Sequence, residues 1–339
     1  MVSSSDAPRS RIWLVVTALL PYLALLLLFG AMFIRDRLLP QPIFCTGSNL
    51  AALAKDCAPT IVAAAGVTVV MLTGGIDLSV GSMIGVASAV ATYSANHLNS
   101  AVLGMTAGAA AGLLCGLFNG ALVTALKVQP FIVTLGSLMS LRGVCYLVNG
   151  TVNARIYIGD GLDKQNALDL GTRYKWLADD MPFLHLTRFV PLAAAVIFVF
   201  WIVLNHLRFG RRIYAVGSNE EAARLSGVRV ARTKIAAYAL GGLTAGIAGV
   251  MYATRIGGSS VNTATGEELP VIAAVVIGGT SLSGGQGAIS GCIIGAILMK
   301  ALKSACTSLN VHYAWEYVII GLFLVAAAAL DRLRREKAQ

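Results

Sequence analysis

The 339-residue chain is 57% hydrophobic and only 12% charged, whereas soluble domains carry about 25% charged residues. So few charges cannot cover the surface of a soluble globule of this size, and the apolar fraction also excludes disordered, collagen-like and disulfide-scaffold classes. The formal net charge is +10. We therefore predict an all-α polytopic membrane protein that forms a single domain over residues 1–339.

Apolar runs recur along the whole chain. A bilayer core about 30 Å thick requires about 20 apolar residues per helix. The first run is too long for the apolar region of a cleaved signal peptide, so we expect an uncleaved helix. Several later runs are short. We predict about ten transmembrane helices, at 12–34, 58–73, 82–96, 101–126, 130–148, 189–207, 235–254, 269–281, 288–303 and 315–330.

The distribution of charge predicts the orientation. With the N-terminus inside and ten crossings, 14 of the 26 Lys and Arg residues and 6 acids lie inside, against 11 bases and 10 acids outside. Excess Lys and Arg mark cytoplasmic segments. Both termini and segment 208–234 are therefore predicted to be cytoplasmic, and segment 149–188 periplasmic. Glu267 and Glu268 are expected at the outer surface. The basic balance indicates topology and predicts no nucleic-acid partner.

Glycine recurs at every fourth position of one predicted helix. In membranes, small residues let helix backbones approach closely. The stripe predicts tight helix packing, either within the chain or at a dimer face. Its members are Gly104, Gly108, Gly112, Gly116 and Gly120.

Two segments resemble each other and interrupt short apolar runs: VVMLTGGIDLSVGS at 69–82 and AAVVIGGTSLSGGQ at 273–286. Irregular backbone at membrane depth is tolerated where it is buried or lines a cavity, and paired breaks point to a transport site. The alternative is two tight cytoplasmic turns. The pathway interpretation assigns a lining role to Thr73, Gly74, Gly75, Asp77, Ser79, Ser82, Gly278, Gly279, Thr280, Ser281 and Ser283.

Ionisable and amide groups inside apolar runs need a partner or a cavity. Asp77 either lines a polar pathway or caps the helix that starts near Ser79. Arg142 is interpreted as a structural anchor, although a pair with Asp77 is also open. Asn119 is expected to form a hydrogen bond across helices.

No nucleotide, metal or catalytic motif is found in the sequence. The string LSGGQ at 282–286 looks like the signature of ABC ATPases, but the GxxxxGK[ST] phosphate loop is absent and apolar runs flank the string. The Cys and His residues show no metal spacing. We therefore predict a protein that is not an enzyme and holds neither cofactor nor metal.

Residues 218–226, SNEEAARLS, predict a short helix in the inside segment. Ser218 or Asn219 can cap it, acids follow in the first turn, and Gly227 can end it. Such a helix suits docking to another subunit, and a solvated or membrane-surface loop is the alternative. The outside segment 149–188 contains Tyr157 and Trp176 among balanced charges and offers no motif, although an external partner could dock there.

Four longer motifs resemble the permease subunits of ribose-type monosaccharide ABC importers. They are GGIDLSVGS (74–82), VQPFIVTLGSLMSLRG (128–143), RFGRRIYAVGSNEEAARLSGV (208–228) and IAAVVIGGTSLSGGQG (272–287), and the resemblance covers about residues 50–330. It implies the type II importer architecture, with broken, Gly-rich helices in the bacterial inner membrane. ELPVIAAV departs from the family pattern at Pro270 and Val271.

The resemblance also implies the partners. A cytoplasmic ABC ATPase binds the ATP, a periplasmic sugar-binding protein delivers the substrate, and a second permease subunit, identical or a sister chain, completes the pathway in the bilayer. The family's ATPase-coupling segment falls on Asn219, Glu220, Glu221, Ala222, Ala223, Arg224, Leu225 and Gly227.

The predicted function is import of a neutral monosaccharide resembling ribose, galactose or xylose. Segments rich in Gly, Ser and Thr can exchange hydrogen bonds with a sugar without trapping it. The alternative is an ion-coupled secondary transporter of a small polar solute, with Asp77 as the ion site.

Overall fold

The computed structural model describes residues 7–151, 176–181, 187–312 and 314–336. Within these ranges the chain forms α-helices and no β-strand; a single 3-10 turn and one isolated bridge lie between residues 176 and 187. The helices are α1 (Ala7–Leu38), α2 (Gly47–Leu72), α3 (Val80–His97), α4 (Ala101–Leu126), α5 (Pro130–Thr151), α6 (Phe189–Asn205), α7 (Arg208–Ser218), α8 (Glu220–Leu225), α9 (Val230–Ile256), α10 (Glu268–Ile277), α11 (Ile289–Ser308) and α12 (Ala314–Glu336).

The helices confirm a polytopic α-helical membrane protein. Six described helices are long and apolar enough to cross a bilayer, or seven if α6 and α7 form one bent span. They are Leu19–Leu38, α2, α4, Pro130–Asn149, α9 and α11. By this criterion the predicted count of about ten is not supported. Every predicted run overlaps a helix, but α10 has only ten residues, about 15 Å at the α-helical rise.

The bundle is built around α2 and α9, most of whose residues are buried, while most of those of α4 and α5 are exposed or half-buried. Small side chains such as Ala64 and Ala245 fill the centre and have no exposed surface. A helix that is apolar all round and buried belongs to the core of a membrane bundle, whereas exposed apolar faces of the outer helices suit lipid. Burial thus separates core helices from peripheral ones.

The two ends of the bundle differ. At one end, the far end, side chains join α1, α2 and α11: Arg35 donates to the carbonyl of Ser308 at 2.8 Å, and Asn49 donates to Ser304 Oγ at 3.3 Å. The opposite end, the break end, holds the C-terminus of α2, the α7–α8 joint and the α10–α11 turn. α2 has 26 residues, about 39 Å of helix, and separates the two ends.

The segment predicted as loop 208–234 is largely helical. After α6 the chain bends by 71° and continues as α7, α8 follows after one residue, and α9 begins at Val230. In α7 the side chains of Ile213 and Val216 are buried, while Arg211 and Arg212 are exposed. The prediction missed α7 because its charged face masks the helical spacing of its few apolar residues.

The Glu267 side chain is mostly buried and forms an ion pair with Lys300, while its place at the outer surface stays a prediction. Its carboxylate accepts hydrogen bonds from Lys300 Nζ at 2.8 and 2.9 Å. The side chains of Lys300 and Glu267 are only 8% and 17% exposed. Glu268 is half-buried.

Candidate functional site

The two Gly-rich breaks, which the sequence shows as a repeat, lie against each other at the break end. The N–H of Gly285 donates to the carbonyl of Leu72 at 3.0 Å. Gly284 packs so closely on Gly74 that a Cβ on Gly284 would lie 2.6 Å from the Gly74 nitrogen. Both breaks follow apolar helices and lie at one end of the bundle. This position favours turns at the bundle end, the alternative that the sequence left open.

The end of α7 packs on both breaks. A Cβ on Gly217 would overlap the Leu72 carbonyl oxygen and lie 2.5 Å from the Gly285 nitrogen. The Tyr214 hydroxyl donates to the carbonyl of Gly287 at 2.9 Å. We name this contact region, residues 72–75, 214–218 and 283–287, the break junction. It brings the residues immediately before the predicted coupling segment directly onto both breaks.

A buried polar network holds the start of α3. Asp77 Oδ1 accepts from the Ser79 N–H at 2.8 Å and from Ser79 Oγ at 2.6 Å. Asn119 Nδ2 on α4 donates to Ser79 Oγ at 2.8 Å, and Thr134 Oγ1 on α5 donates to the carbonyl of Ile76 at 2.9 Å. Asp77 thus holds Ser79, the N-cap residue of α3, as the structural alternative expected, and Asn119 forms an interhelical hydrogen bond.

Arg142 and Asp77 have different partners. Arg142 Nη1 donates to the carbonyl of Thr263 at 3.0 Å, and Nη2 lies 3.5 Å from the carbonyl of Ala264. The guanidinium therefore satisfies irregular backbone between α9 and α10, as an anchor does.

The second break is held by the last helix. Asp331 Oδ2 accepts from Ser281 Oγ at 2.7 Å and from the Leu282 N–H at 3.3 Å. Sequence reasoning placed Asp331 in the cytoplasmic tail and missed this role, although an acid at the end of an apolar run was a usable signal. Gly279 and Thr280 line a cavity of about 220 Å³ between α1, α10, α11 and α12.

Most residues predicted to line the pathway are buried in this conformation. Of the eleven, only Gly74 and Ser283 are exposed, Gly278 and Gly279 are half-buried, and the others are buried. The hydroxyl of Thr73 donates to the carbonyl of Val70 at 2.7 Å, and that of Ser82 to the carbonyl of Leu138 at 2.8 Å. These two hydroxyls therefore bind the protein itself in this conformation.

The predicted coupling segment forms α8 and is exposed. Asn219 Oδ1 caps it by accepting from the Ala222 N–H at 2.9 Å, and Gly227 ends it with φ +82°. The hydrogen bond and charge of Arg224 hold the pKa of Glu221 below its ordinary value. Leu225, the last residue of α8, is 78% exposed, so the helix presents one large apolar side chain to its surroundings.

Glu220 and Ala223 tie α8 to its surroundings. Glu220 forms an ion pair with Lys234 at the start of α9, 2.6 Å away, and Ala223 is buried. The coupling segment therefore presents charged and apolar groups outward while one face rests on the bundle.

The glycine stripe of α4 packs within the chain. All five glycines are buried. A Cβ on Gly112 would overlap the backbone of Gly242 and Gly246 on α9, and a Cβ on Gly116 would overlap the carbonyl of Tyr238. Of the two alternatives that the sequence left open, this geometry corresponds to intramolecular packing.

Long apolar helices around paired breaks, joined to an exposed polar helix, define a membrane permease of the transport type. Residues 49–328 match the family described as the permease component of the branched-chain amino acid transport system. The chain belongs to this family of transport permeases.

Three named relatives are similar over nearly their full lengths. The ribose import permease protein RbsC of Escherichia coli K12 is 35% identical over 87% of this chain and 89% of its own. The L-arabinose transport system permease protein AraH of the same strain is 34% identical over 98% and 97%. The galactose/methyl galactoside import permease protein MglC is 31% identical over 92% and 93%. No solved structure matches the chain.

Proposed function

We propose that this chain is the transmembrane permease subunit of an ATP-driven importer and forms the translocation pathway for a monosaccharide. The break junction is the observation that carries the proposal. Gly217 packs on Leu72 and Gly285 immediately before α8. A displacement of α8 by a partner is therefore transmitted to both breaks at once. We propose that the junction is the inner gate of the pathway. We also propose that the eleven residues predicted at the two breaks and the start of α3 line the pathway when this gate opens.

The ATPase is a separate cytoplasmic subunit that docks on α8. Association sites commonly combine an exposed apolar anchor with a charged rim. α8 offers Leu225, 78% exposed, beside Glu221 and Arg224, whose side chains are 64% and 66% exposed. The permease itself performs no chemistry, and the ATP is bound by the partner.

The substrate is a neutral sugar. The family description names branched-chain amino acids, whereas the relatives above are named for ribose, L-arabinose and galactose. An amino acid carries an ammonium and a carboxylate, so its pathway must offer groups of both signs. At the breaks the hydroxyl and Gly groups outnumber the acids Asp77 and Asp331, and both acids are engaged by serine. This composition supports a polyol.

The same proposal sets the arrangement in the membrane. The break end faces the cytoplasm with both termini, and the far end faces the periplasm, where a sugar-binding protein docks on segment 149–188. Residues 152–175 and 182–186 of that segment, including Tyr157, lie outside the described residues. The chain forms one domain with about ten crossings of the inner membrane, shorter helices included, in the type II importer architecture. A second permease subunit completes the pathway.

The first experiment is gentle purification of the tagged chain from its native membrane. We expect an ATPase subunit in stoichiometric amount and ATP hydrolysis in the sample. The complex is then placed in proteoliposomes with its binding protein, and uptake of ribose, arabinose, galactose and leucine is compared. Sugar uptake that requires ATP and survives an ionophore supports the proposal, and leucine uptake would contradict the substrate assignment.

Asp77→Asn distinguishes the ion-coupled alternative. The amide oxygen can still accept from Ser79, so the start of α3 is preserved and we expect ATP-dependent uptake to persist. The opposite result is uptake by the permease alone that is abolished both by an ionophore and by Asp77→Asn. This result would contradict the proposal and show an ion-coupled transporter.

Disruption of α8 tests the coupling. Glu221 lies in the first turn, where proline is tolerated, so Arg224 is the sharper position. Arg224→Pro removes the helix and should abolish ATP-driven uptake while the chain stays in the membrane. Arg224→Lys is the matched control, because it keeps the helix and the positive charge that faces the partner. Equal uptake by the two variants would remove the coupling role of α8.

A further inference from the structure

A basic pocket lies between the α4–α5 link and the α8–α9 region, with a volume of about 700 Å³. Five cationic side chains and one carboxylate line it: Lys127, Arg224, Arg229, Arg232, Lys234 and Glu220. We use the name basic pocket for the cavity these residues line. Its charge strongly favours an anionic ligand.

Two of the cations are neutralised and three are not. Lys234 pairs with Glu220 at 2.6 Å, and Arg224 with Glu221 at 2.5 Å. Within the described part of the chain, the side chains of Lys127, Arg229 and Arg232 have no carboxylate or carbonyl partner, and all three residues are exposed. Three positive charges therefore remain available at the pocket mouth.

The rest of the pocket wall is apolar and continues into an exposed apolar surface. Val123, Val128 and Pro130 line the pocket. Next to them Phe131 and Ile132 on the first turn of α5 are 45% and 53% exposed. α4 and α5 both include candidate membrane spans, so this surface suits acyl chains.

We infer that the basic pocket binds the phosphate-bearing headgroup of an anionic phospholipid, whose acyl chains lie along the exposed faces of α4 and α5. Arg and Lys form charge-assisted hydrogen bonds with phosphate oxygens, and basic pockets at the cytoplasmic ends of membrane helices attract acidic lipids. Lys127, Arg229 and Arg232 bind the phosphate. A bound lipid thereby bridges the α4–α5 link and the α8–α9 segment.

Two features distinguish a lipid from other anions. A free phosphate would use the three cations but not the adjoining apolar surface. A protein partner docked on the outward face of α8 would contact Glu221, Arg224 and Leu225, and of these only Arg224 lines the pocket. The combination of cations and lipid-facing apolar walls fits a molecule that has both parts.

The test uses the full-length chain in detergent with dioleoyl phosphatidylglycerol and, separately, dioleoyl phosphatidylcholine, followed by native mass spectrometry and lipid titration. The triple variant Lys127→Gln, Arg229→Gln, Arg232→Gln should bind phosphatidylglycerol with an affinity at least about tenfold lower. The matched control is Arg208→Gln, Arg211→Gln, Arg212→Gln, which removes equal charge from α7 outside the pocket. We expect near-wild-type binding by the control.

Several outcomes would overturn the inference. An equal loss of phosphatidylglycerol affinity in both triple variants would indicate general attraction to the basic surface. Wild-type affinity in both variants would indicate that the pocket binds no lipid. Inorganic phosphate that displaces phosphatidylglycerol at comparable concentration would identify a free-anion site. Loss of ATPase binding in the pocket variant with lipid binding intact would assign the pocket to the protein partner.

Folding of the variants is checked by circular dichroism and melting. If the triple pocket variant melts at a lower temperature than the wild type, two experiments replace it. Lipid binding is then measured for Arg232→Gln alone and for the wild-type chain over a series of salt concentrations. Headgroup binding at a lipid site weakens with salt for phosphatidylglycerol. Identical salt curves for phosphatidylglycerol and phosphatidylcholine would contradict an electrostatic headgroup site.

Discussion

The carbonyl of Leu72 accepts a hydrogen bond from the N–H of Gly285, at 3.0 Å, and so binds the end of one Gly-rich break to the other. Gly217 lies on the same carbonyl with no room for a side chain. Three segments far apart in sequence therefore meet through backbone atoms. Backbone contacts transmit displacement with little slack, which suits a gate operated from outside the membrane.

Substitution of Gly217 tests the junction. Glycine in a helix normally costs about 1 kcal/mol against alanine, so Gly217→Ala would stabilise α7 if space were available. The Cβ would instead overlap the Leu72 carbonyl, and overpacking costs about 1–3 kcal/mol. We expect a lower melting temperature and reduced ATP-driven uptake. Gly136→Ala, where nothing lies within 4 Å, is the control and should melt no lower than wild type.

The α4–α9 contact makes a second prediction. Gly112→Leu forces α4 away from Gly242 and Gly246, and close backbone approach is what holds membrane helices together. The yield of monodisperse protein in detergent should fall severalfold. Gly143→Leu on α5, at a position with open space, adds the same side chain and should give a normal yield. Equal yields for the two variants would contradict the packing role of the stripe.

Some features of the fold and of the candidate site can be predicted from the sequence, and others cannot. The repeat, the stripe of α4 and α8 depend on local spacing or internal similarity, so they were predictable. An acid at the end of an apolar run indicates that Asp331 needs a partner, but which partner it contacts depends on how α12 packs. The Glu267–Lys300 pair likewise joins side chains on separate segments of the chain, which no local pattern encodes.

The Asn119–Ser79 hydrogen bond is open to a double-mutant cycle. Asn119→Ala removes the donor to Ser79 Oγ, and Ser79→Ala removes the acceptor together with one of the two donors to Asp77. A buried hydrogen bond contributes about 0.5–1.5 kcal/mol, and an orphaned partner costs about 1–3 kcal/mol. We expect each single variant to melt lower and the double variant to be less destabilised than their sum. Additive effects in the cycle would show that the two groups act independently.

The Glu267–Lys300 ion pair predicts how stability depends on pH. Burial raises the pKa of Glu267, but the Lys300 ammonium, its hydrogen bonds, the Lys303 charge and the Tyr252 hydroxyl together lower it below its ordinary value of 4.5. A carboxyl with a lowered folded-state pKa contributes stability that is present above its unfolded pKa and lost as the pH falls through the folded value. The melting temperature should therefore hold steady from pH 8 to about pH 5 and fall in more acidic buffer.

Two variants separate this pair from other acid effects. Glu267→Gln leaves the Lys300 ammonium buried without its carboxylate, which costs about 3–5 kcal/mol at neutral pH, and it should flatten the acid side of the profile. Glu316→Gln breaks the Lys303–Glu316 pair, whose side chains are 52% and 17% exposed. Because the Lys303 ammonium left behind is half in solvent, unlike that of Lys300, this variant should cost about 1 kcal/mol and keep the wild-type slope. Melting of the three proteins from pH 4 to pH 8 in one detergent measures both effects. A Glu267→Gln profile parallel to that of the wild type would show that protonation elsewhere governs the acid transition.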